Sequence, residues 1–195
     1  MILYPVNIKL RGYRCLLIGG GNVAAEKIPS LLRSGAIVDV VAPTLNDEMS
    51  ALLQQNSFTW KARKFRKSDV SKKYFLIMAS TDNPVVNQEI YDRSIKAGKL
   101  VNCVDDPDRC NFYVPSITQC GDLQISVSTA GKAPLLSKSL RQFFESVFGQ
   151  AMKPALEEIY QIRATIVKGE NKKQERIRHE LKPKIDSFLK NIHWS

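Results

Sequence analysis

Residues 16–24 read LLIGGGNVA, and this stretch decides the fold class. An apolar run that leads directly into glycines and then into a helix is typical of a dinucleotide-binding turn. Gly19, Gly21 and Ala24 fit its G-x-G-x-x-G/A spacing. The first glycine permits the tight turn, the second lets a pyrophosphate approach the backbone, and the small third residue lets the helix pack on the strand. The alternative is a glycine-rich turn that binds no nucleotide.

The flanking sequence extends this pattern into a repeated order of strands and helices. Apolar residues at helical spacing predict a helix over 23–34, which Gly35 ends. Asp82 is a candidate cap for a later helix. The alternation of strands and helices predicts an α/β fold with a Rossmann-type parallel sheet and right-handed crossovers. The predicted strands are 13–18, 37–41, 58–65, 74–79 and 100–104, and the other predicted helices are 49–55 and 84–97.

The pattern changes after residue 105. Two strand-like stretches, 112–117 and 123–128, are separated by Gly121-Asp122, which predicts an antiparallel pair. A helix is predicted over 134–148. Residues 150–195 carry no strand signal, and they predict two or three helices with breaks at Gly169 and Pro183.

Composition limits the classes of partner. The chain has 195 residues, a net charge of +10 and four cysteines without a C-x-x-C pair, so we expect neither a disulfide framework nor a zinc site. Its apolar runs are too short to span a membrane and it begins without a signal-peptide pattern, which predicts a cytoplasmic protein.

The excess of basic over acidic residues favours an anionic partner. No RNA-binding aromatic motif is present, so we expect a small acidic molecule rather than nucleic acid. The basic cluster, defined as Lys61, Arg63, Lys64, Arg66, Lys67, Lys72 and Lys73, is either part of that interaction or a solvated strand edge.

The end of the second strand bears on which nucleotide binds. Rossmann units usually carry an acid there that bonds the ribose hydroxyls, but here the sequence is Val41-Ala42-Pro43-Thr44. Residues 42–56 also contain no lysine or arginine that could meet a 2′-phosphate. That absence favours NAD, with NADP left open. The residues predicted to bind the cofactor at these two turns are Gly19, Gly20, Gly21, Asn22, Val23, Pro43 and Thr44.

Three further polar runs follow predicted strands, where open α/β sheets bind ligands. They are residues 79–87 with Thr81 and Asp82, residues 101–107 with Asn102 and Asp105, and residues 125–134 with Ser128 and Lys132. Each run has a simpler interpretation as a helix cap, a chain reversal or a plain loop.

Taken together, the four runs resemble the precorrin-2 dehydrogenase family. That family includes stand-alone dehydrogenases of siroheme synthesis and the N-terminal half of fused siroheme synthases. The matching motifs are G-G-G-x-V-A, T-D-x-x-x-V-N, N-x-x-D-x-P and S-T-x-G-x-x-P, together with the opening Tyr4-Pro5-Val6. The match covers roughly residues 2–145, and the helical tail matches only in general character.

The resemblance implies an NAD-dependent oxidation of precorrin-2, a tetrapyrrole with eight carboxylates, to sirohydrochlorin. It also implies a homodimer with an NAD-binding domain at 1–112, a dimerisation segment at 113–148 and a helical domain at 149–195. Asp105 matches the family's active-site aspartate, and we expect it to accept a proton. Thr81, Asp82 and Asn102 are expected at the cofactor site. Ser128 and Lys132 are expected to bond substrate carboxylates, although Lys132 fits a solvated loop equally well. No metal ligand is expected.

Two other functions stay open. Some relatives also insert Fe²⁺ into sirohydrochlorin at the same site, so a bifunctional dehydrogenase and ferrochelatase is one alternative. The second is a regulatory module that binds NAD without catalysis. A dehydrogenase for a small hydroxy acid is disfavoured, because both histidines, His179 and His193, lie in the tail.

Overall fold

The computed structural model describes residues 2–104, 106–148, 153–168, 175 and 177–190. The chain forms two compact units. The first is Ile2–Tyr113, and the second begins at Val114.

The first unit is built on a five-stranded parallel sheet with the order β3-β2-β1-β4-β5. The chain winds outward in one direction from β1 to β3 and then returns to the other side of β1 for β4. Ligands of open α/β sheets bind at such a reversal, beyond the carboxyl ends of the strands. The predicted Rossmann-type sheet is confirmed. Its strands are β1 Arg14–Ile18, β2 Ile37–Ala42, β3 Thr59–Ala62, β4 Tyr74–Ala79 and β5 Leu100–Cys103, and its helices are α1 Asn22–Arg33, α2 Asp47–Gln55 and α3 Pro84–Lys96.

Alternate residues of β1 serve the two faces of this sheet. Cys15 and Leu17 are fully buried and belong to the core that includes α1 and α2. Leu16 and Ile18 belong to the core on the other face, which includes Ile90 of α3. A sheet covered on both faces explains why these strands read as continuous apolar runs.

One carboxylate is buried within the sheet. Asp39 of β2 is 2% exposed, and it accepts a 2.6 Å hydrogen bond from the hydroxyl of Tyr74. The Lys73 ammonium lies 3.2 Å from this carboxylate, the Arg14 guanidinium 3.4 Å and the Lys61 ammonium 3.9 Å. Burial alone raises the pKa of Asp39, but the bonds from Tyr74 and Lys73 and the nearby positive charges outweigh it, so the pKa is lowered.

Two local predictions differ from the structure. Strand β3 ends at Ala62 rather than at residue 65, because the chain turns after Arg63 into a short 3₁₀-helix at Lys67–Asp69. The cap of α3 is Asn83 and not Asp82. The Asn83 side chain accepts hydrogen bonds from the amides of Val85 and Val86, which satisfies the first turn of the helix.

The second unit contains an antiparallel hairpin and helices. Its turn at Gly121, where φ is +58°, is the one predicted from Gly121-Asp122. The first strand begins at Ser116 rather than at residue 112, because the preceding residues bond to β5: Phe112 accepts a 3.0 Å bond from Asn102. The described elements are β6 Ser116–Cys120, β7 Leu123–Val127, α4 Pro134–Val147, α5 Lys153–Lys168, a π-helical turn at Ile177–Leu181 and α6 Lys182–Lys190.

The helical tail agrees with the prediction only in part. Pro183 was expected to break a helix, and it is the second residue of α6, directly after the π-helical turn. Gly169 and His193 lie outside the described residues, and His179 is exposed. Among the described helices, none is long and apolar enough to span a membrane.

Candidate functional site

Gly19 makes the tight turn at the end of β1. Its φ is +131°, and a Cβ built on it would lie 2.3 Å from the carbonyl oxygen of Ser80. The backbone is fixed from both sides, since the amide of Gly19 donates to Val41 and the amide of Ser80 donates to Ile18. Only glycine fits this conformation and this spacing. The turn therefore sits where β1, β2 and β4 end together.

Gly20 is as tightly packed as Gly19, although the spacing pattern treats it as a free position. A Cβ there would lie 2.2 Å from the carbonyl oxygen of Thr44 and 3.0 Å from the Cβ of Ala42. The carbonyl of Gly20 accepts a 2.9 Å bond from the amide of Asn46. These contacts join the glycine turn to the loop after β2. In contrast, a Cβ on Gly21 would meet no described atom within 4 Å, so this position is open.

The N-terminus of α1 is suited to an anion. Its N-cap residue, Gly21, makes no side-chain hydrogen bond, and the first turn contains no acidic residue. The other two helices of this unit are capped, α2 by Asn46 and α3 by Asn83. Ala24 is fully buried, which brings the helix close to the sheet. Uncapped amides at a helix N-terminus bind phosphate, so this end of α1 fits a pyrophosphate.

The loop after β2 and the first turn of α1 carry four further predicted cofactor residues. Pro43 and Thr44 are exposed at the carboxyl end of β2. The side-chain amide of Asn46 donates to the side-chain oxygen of Asn22. Asn22 is exposed and Val23 is half-buried in the first turn of α1. The geometry groups these residues around Gly20 and Gly21, as a dinucleotide spanning β1 and β2 requires.

Thr81 and Asn87 bind each other at the end of β4. The Thr81 hydroxyl donates to the side-chain oxygen of Asn87 at 2.6 Å, and the Asn87 amide returns a 2.9 Å bond to the Thr81 carbonyl. Two residues of the T-D-x-x-x-V-N motif thus shape the turn into α3. Asp82 between them is exposed.

The side chain of Asn102 links the end of β5 to residues 110 and 112. Its side-chain amide donates to the carbonyl of Phe112 at 3.0 Å and to the sulfur of Cys110 at 3.3 Å. Cys103 is fully buried, and this burial raises the pKa of its thiol to about 12, so the thiol stays protonated. Asp105, the predicted proton acceptor, lies outside the described residues.

The neighbouring carboxylate, Asp106, has a local partner. It forms an ion pair with Arg109, and the Arg109 guanidinium also donates to the side chain of Gln88 on α3. Asp106 thus ties the end of β5 to α3. Its charge is satisfied within the described part of the first unit.

Ser128 and Lys132 belong to the second unit, in the loop between β7 and α4. The Ser128 hydroxyl accepts a 3.2 Å bond from the amide of Ala130, whose φ is +53°. Lys132 is exposed, and its backbone amide donates to Thr129. This loop is held at its base by the bond between Thr129 and Ser137.

Local ion pairs account for much of the basic cluster. Four of its seven cations have acidic partners within the first unit, which agrees with a solvated strand edge more than with a dedicated anion site. The pairs are Lys61 and Lys73 with Asp39, Arg63 with Asp69, and Lys67 with Glu89.

The glycine turn can be tested with two adjacent substitutions. We expect Gly20→Ala to lower stability by about 1–3 kcal/mol, because its Cβ would overlap Thr44. We expect Gly21→Ala to keep the wild-type melting temperature but to weaken NAD⁺ binding by about tenfold, since the methyl group would meet only the ligand. Thermal unfolding and calorimetric titration measure both effects. Wild-type NAD⁺ affinity in Gly21→Ala would mean that no pyrophosphate lies against Gly21.

Comparison with known proteins agrees with this geometry. Residues 6–116 match the family described as "Putative NAD(P)-binding", and residues 121–146 match "Sirohaem biosynthesis protein central". A solved structure described as "SirC, precorrin-2 dehydrogenase" has a TM-score of 0.75 and 26% identity, covering 99% of this chain and 100% of that chain. The chain belongs to the family described as "Putative NAD(P)-binding", whose model matches more than half of its residues. Both parts of the chain therefore have counterparts, the nucleotide-binding unit and the central segment that carries β7 and most of α4.

The curated proteins that this chain matches are longer. The siroheme synthase of Acinetobacter baylyi is 37% identical over 152 residues, which are 78% of this chain and 33% of that protein. The siroheme synthase of Neisseria meningitidis serogroup C is 40% identical over 152 residues, 78% of this chain and 32% of that protein. This chain thus spans about a third of the length of the curated relatives it matches.

Proposed function

We propose that this chain oxidises precorrin-2 to sirohydrochlorin with NAD⁺. The observation that carries the proposal is the likeness to a precorrin-2 dehydrogenase over 99% of this chain and the whole of that one. The glycine turn and the uncapped N-terminus of α1 support the nucleotide part of the proposal. The net charge of +10 supports attraction of a substrate that bears many carboxylates.

The chemistry needs one hydride acceptor and one proton acceptor. Precorrin-2 and NAD⁺ give sirohydrochlorin, NADH and a proton. When bound, NAD⁺ supplies the site that takes up the hydride. The protein has to orient the tetrapyrrole and accept the proton, and we assign the second task to Asp105. We assign Ser128 and Lys132 to substrate carboxylates, and Thr81, Asp82 and Asn102 to the nucleotide end of the site.

We also propose a homodimer formed through α4. One side of this helix carries large apolar side chains that solvent reaches: Leu135 is 80% exposed, Leu136 53%, Leu140 36% and Phe143 37%. The same helix also packs against the hairpin β6–β7. Contiguous exposed apolar surface of this kind marks a protein interface. A second copy of the same helix would bury it by two-fold symmetry.

The dimer can be tested by changing the charge on α4. We expect the double variant Leu136→Glu, Leu140→Glu to sediment as a monomer of 22.0 kDa and the wild type at twice that mass. Burying two carboxylates in an apolar interface is unfavourable. The control Lys138→Glu, an exposed position on another side of α4, is expected to remain dimeric. A monomeric wild type would remove the dimer from this account.

A cytoplasmic location completes the proposal. The four cysteines are free thiols, as expected in a reducing compartment. The NAD⁺ that the proposed reaction consumes is also a cellular cofactor.

Anaerobic incubation of the purified chain with precorrin-2 and NAD⁺ tests the function. The expected result is the absorbance spectrum of sirohydrochlorin together with that of NADH. Fe²⁺ added after completion then reports whether the same chain also inserts iron. A folded protein that binds NAD⁺ but forms no sirohydrochlorin would overturn the assignment in favour of a nucleotide-sensing module.

A further inference from the structure

We propose that the ion pair between Arg63 and Asp69 makes the site selective for NAD over NADP by occupying the guanidinium of Arg63, a cation beside the end of β2. The inference rests on the proposed function, in that it concerns the nucleotide of the same site. It assigns specificity to two residues that follow β3 in the chain and lie outside the glycine turn.

The position of Arg63 is suited to a 2′-phosphate. Strand β3 lies beside β2, with Ala62 in register with Ala42. Arg63 follows directly, and its backbone amide donates a 3.1 Å bond to the carbonyl of Ala42. The exposed loop residues Pro43 and Thr44 follow directly after the end of β2. In dinucleotide-binding units, an arginine near this strand end accommodates the 2′-phosphate of NADP.

The guanidinium of Arg63 is already bound elsewhere. It donates two hydrogen bonds to the carboxylate of Asp69, at 2.8 Å and 2.6 Å, and a third to the carbonyl of Lys64 at 3.0 Å. Asp69 is 7% exposed and also accepts a 2.8 Å bond from the amide of Arg66. A bidentate ion pair of this kind on a buried carboxylate is strong and has a fixed geometry. A 2′-phosphate would have to break it in order to gain Arg63.

The other charges around the loop after β2 do not favour the 2′-phosphate of NADP. Residues 42–56 contain no lysine or arginine. The first turn of α2 carries Asp47 and Glu48, both exposed, directly after Asn46. Asn46 in turn bonds the carbonyl of Gly20, so these carboxylates lie close to the nucleotide-binding turn. Like charges placed near a binding loop reject the more anionic ligand, which is selection by repulsion. This chain lacks the acid that commonly bonds the ribose, and we expect the negative charges of Asp47 and Glu48 to disfavour NADP in its place.

Releasing Arg63 should therefore weaken the discrimination. Asp69→Asn keeps the shape of the side chain and an oxygen for the amide of Arg66, but it removes the negative charge that holds Arg63. We expect the ratio of the NADP⁺ to the NAD⁺ dissociation constant to fall about tenfold in this variant, the size of one charge-assisted hydrogen bond. The double variant Asp69→Asn, Arg63→Gln should return the ratio to the wild-type value, because the gain depends on the freed guanidinium.

Calorimetric titration of both nucleotides into the wild type and the two variants measures these ratios, with thermal unfolding as the check on folding. If Asp69→Asn does not fold, Thr44→Arg in the wild-type background supplies a cation that Asp69 does not hold, and the same tenfold fall is expected. An unchanged ratio in the folded variants would overturn the inference, as would a gain of NADP⁺ affinity that persists without Arg63. Binding is measured without precorrin-2, so failure of the proposed reaction would be a separate result.

Discussion

Asp105→Asn is expected to lower the rate of precorrin-2 oxidation by about 100-fold or more, while NAD⁺ binds with unchanged affinity. The reaction releases a proton, and an amide cannot accept it. Loss of a positioned acid–base group typically costs about 10²–10⁴ in rate. We assign the nucleotide to the glycine turn and the N-terminus of α1, so we expect its affinity not to depend on this carboxylate.

The adjacent aspartate provides a matched control for this prediction. Asp106→Asn makes the same chemical change one residue away, but the Asp106 carboxylate is paired with Arg109. We expect its effect on turnover to remain below about tenfold and to be accompanied by a small loss of stability, since the pair joins the end of β5 to α3. Single-turnover spectra of the two variants make the comparison. Equal turnover in Asp105→Asn and the wild type would remove Asp105 from the mechanism.

The second large effect is expected at Asp39, to which we assign no part in the reaction. Asp39→Ala should lower the free energy of unfolding by about 3 kcal/mol, because it leaves Arg14, Lys61 and Lys73 around a site that no longer holds an anion. It also removes the acceptor for the buried hydroxyl of Tyr74. The three cations are partly exposed and can turn toward water. The expected loss of unfolding free energy is therefore at the lower end of the range for breaking a buried ion pair.

The same residue predicts how stability depends on pH. The folded-state pKa of Asp39 is lowered from 3.8, so its contribution is present above that value and is lost as the pH falls through the folded pKa. The difference in unfolding free energy between the wild type and Asp39→Ala should therefore be constant from pH 7 to about pH 5 and should shrink toward pH 3. Urea denaturation at several pH values measures it. As a control, Asp92→Ala on the exposed surface of α3 should change stability by less than about 0.5 kcal/mol. A gap that widens in acid would contradict the role given to Asp39.

Features that depend on neighbouring residues in the chain were predictable from the sequence. The turn at Gly19, the burial of Ala24 and the hairpin turn at Gly121 follow from local backbone conformation and side-chain size. The parallel sheet follows from the alternation of apolar strands with amphipathic helices. These signals need no knowledge of which segments meet in space.

Features that depend on distant partners were missed. The constraint on Gly20 comes from Thr44, and the burial of Asp39 depends on Tyr74 and Lys73. A charged residue in the middle of an apolar strand was the available signal for such a cluster. The cap of α3 was assigned to Asp82 because the pattern alone does not separate adjacent aspartate and asparagine, and Asn83 takes the role.

Some motif residues hold the backbone in place, and the spacing of the motifs did not show which ones do so. Thr81 binds Asn87, and Asn102 binds Phe112 and Cys110, so part of each motif holds the backbone at the strand ends. Such residues recur at fixed spacing for structural reasons as well as for chemistry. The ligand contacts assigned to Thr81, Asp82, Asn102, Ser128 and Lys132 stay predictions.

The most direct test of the central claim is the stoichiometry of the wild-type reaction in the absence of oxygen. NADH and sirohydrochlorin should appear at the same rate and in a ratio of one to one, because each oxidation transfers one hydride to NAD⁺. Sirohydrochlorin that forms without an equal amount of NADH, or NADH that forms without loss of precorrin-2, would contradict the proposed dehydrogenase.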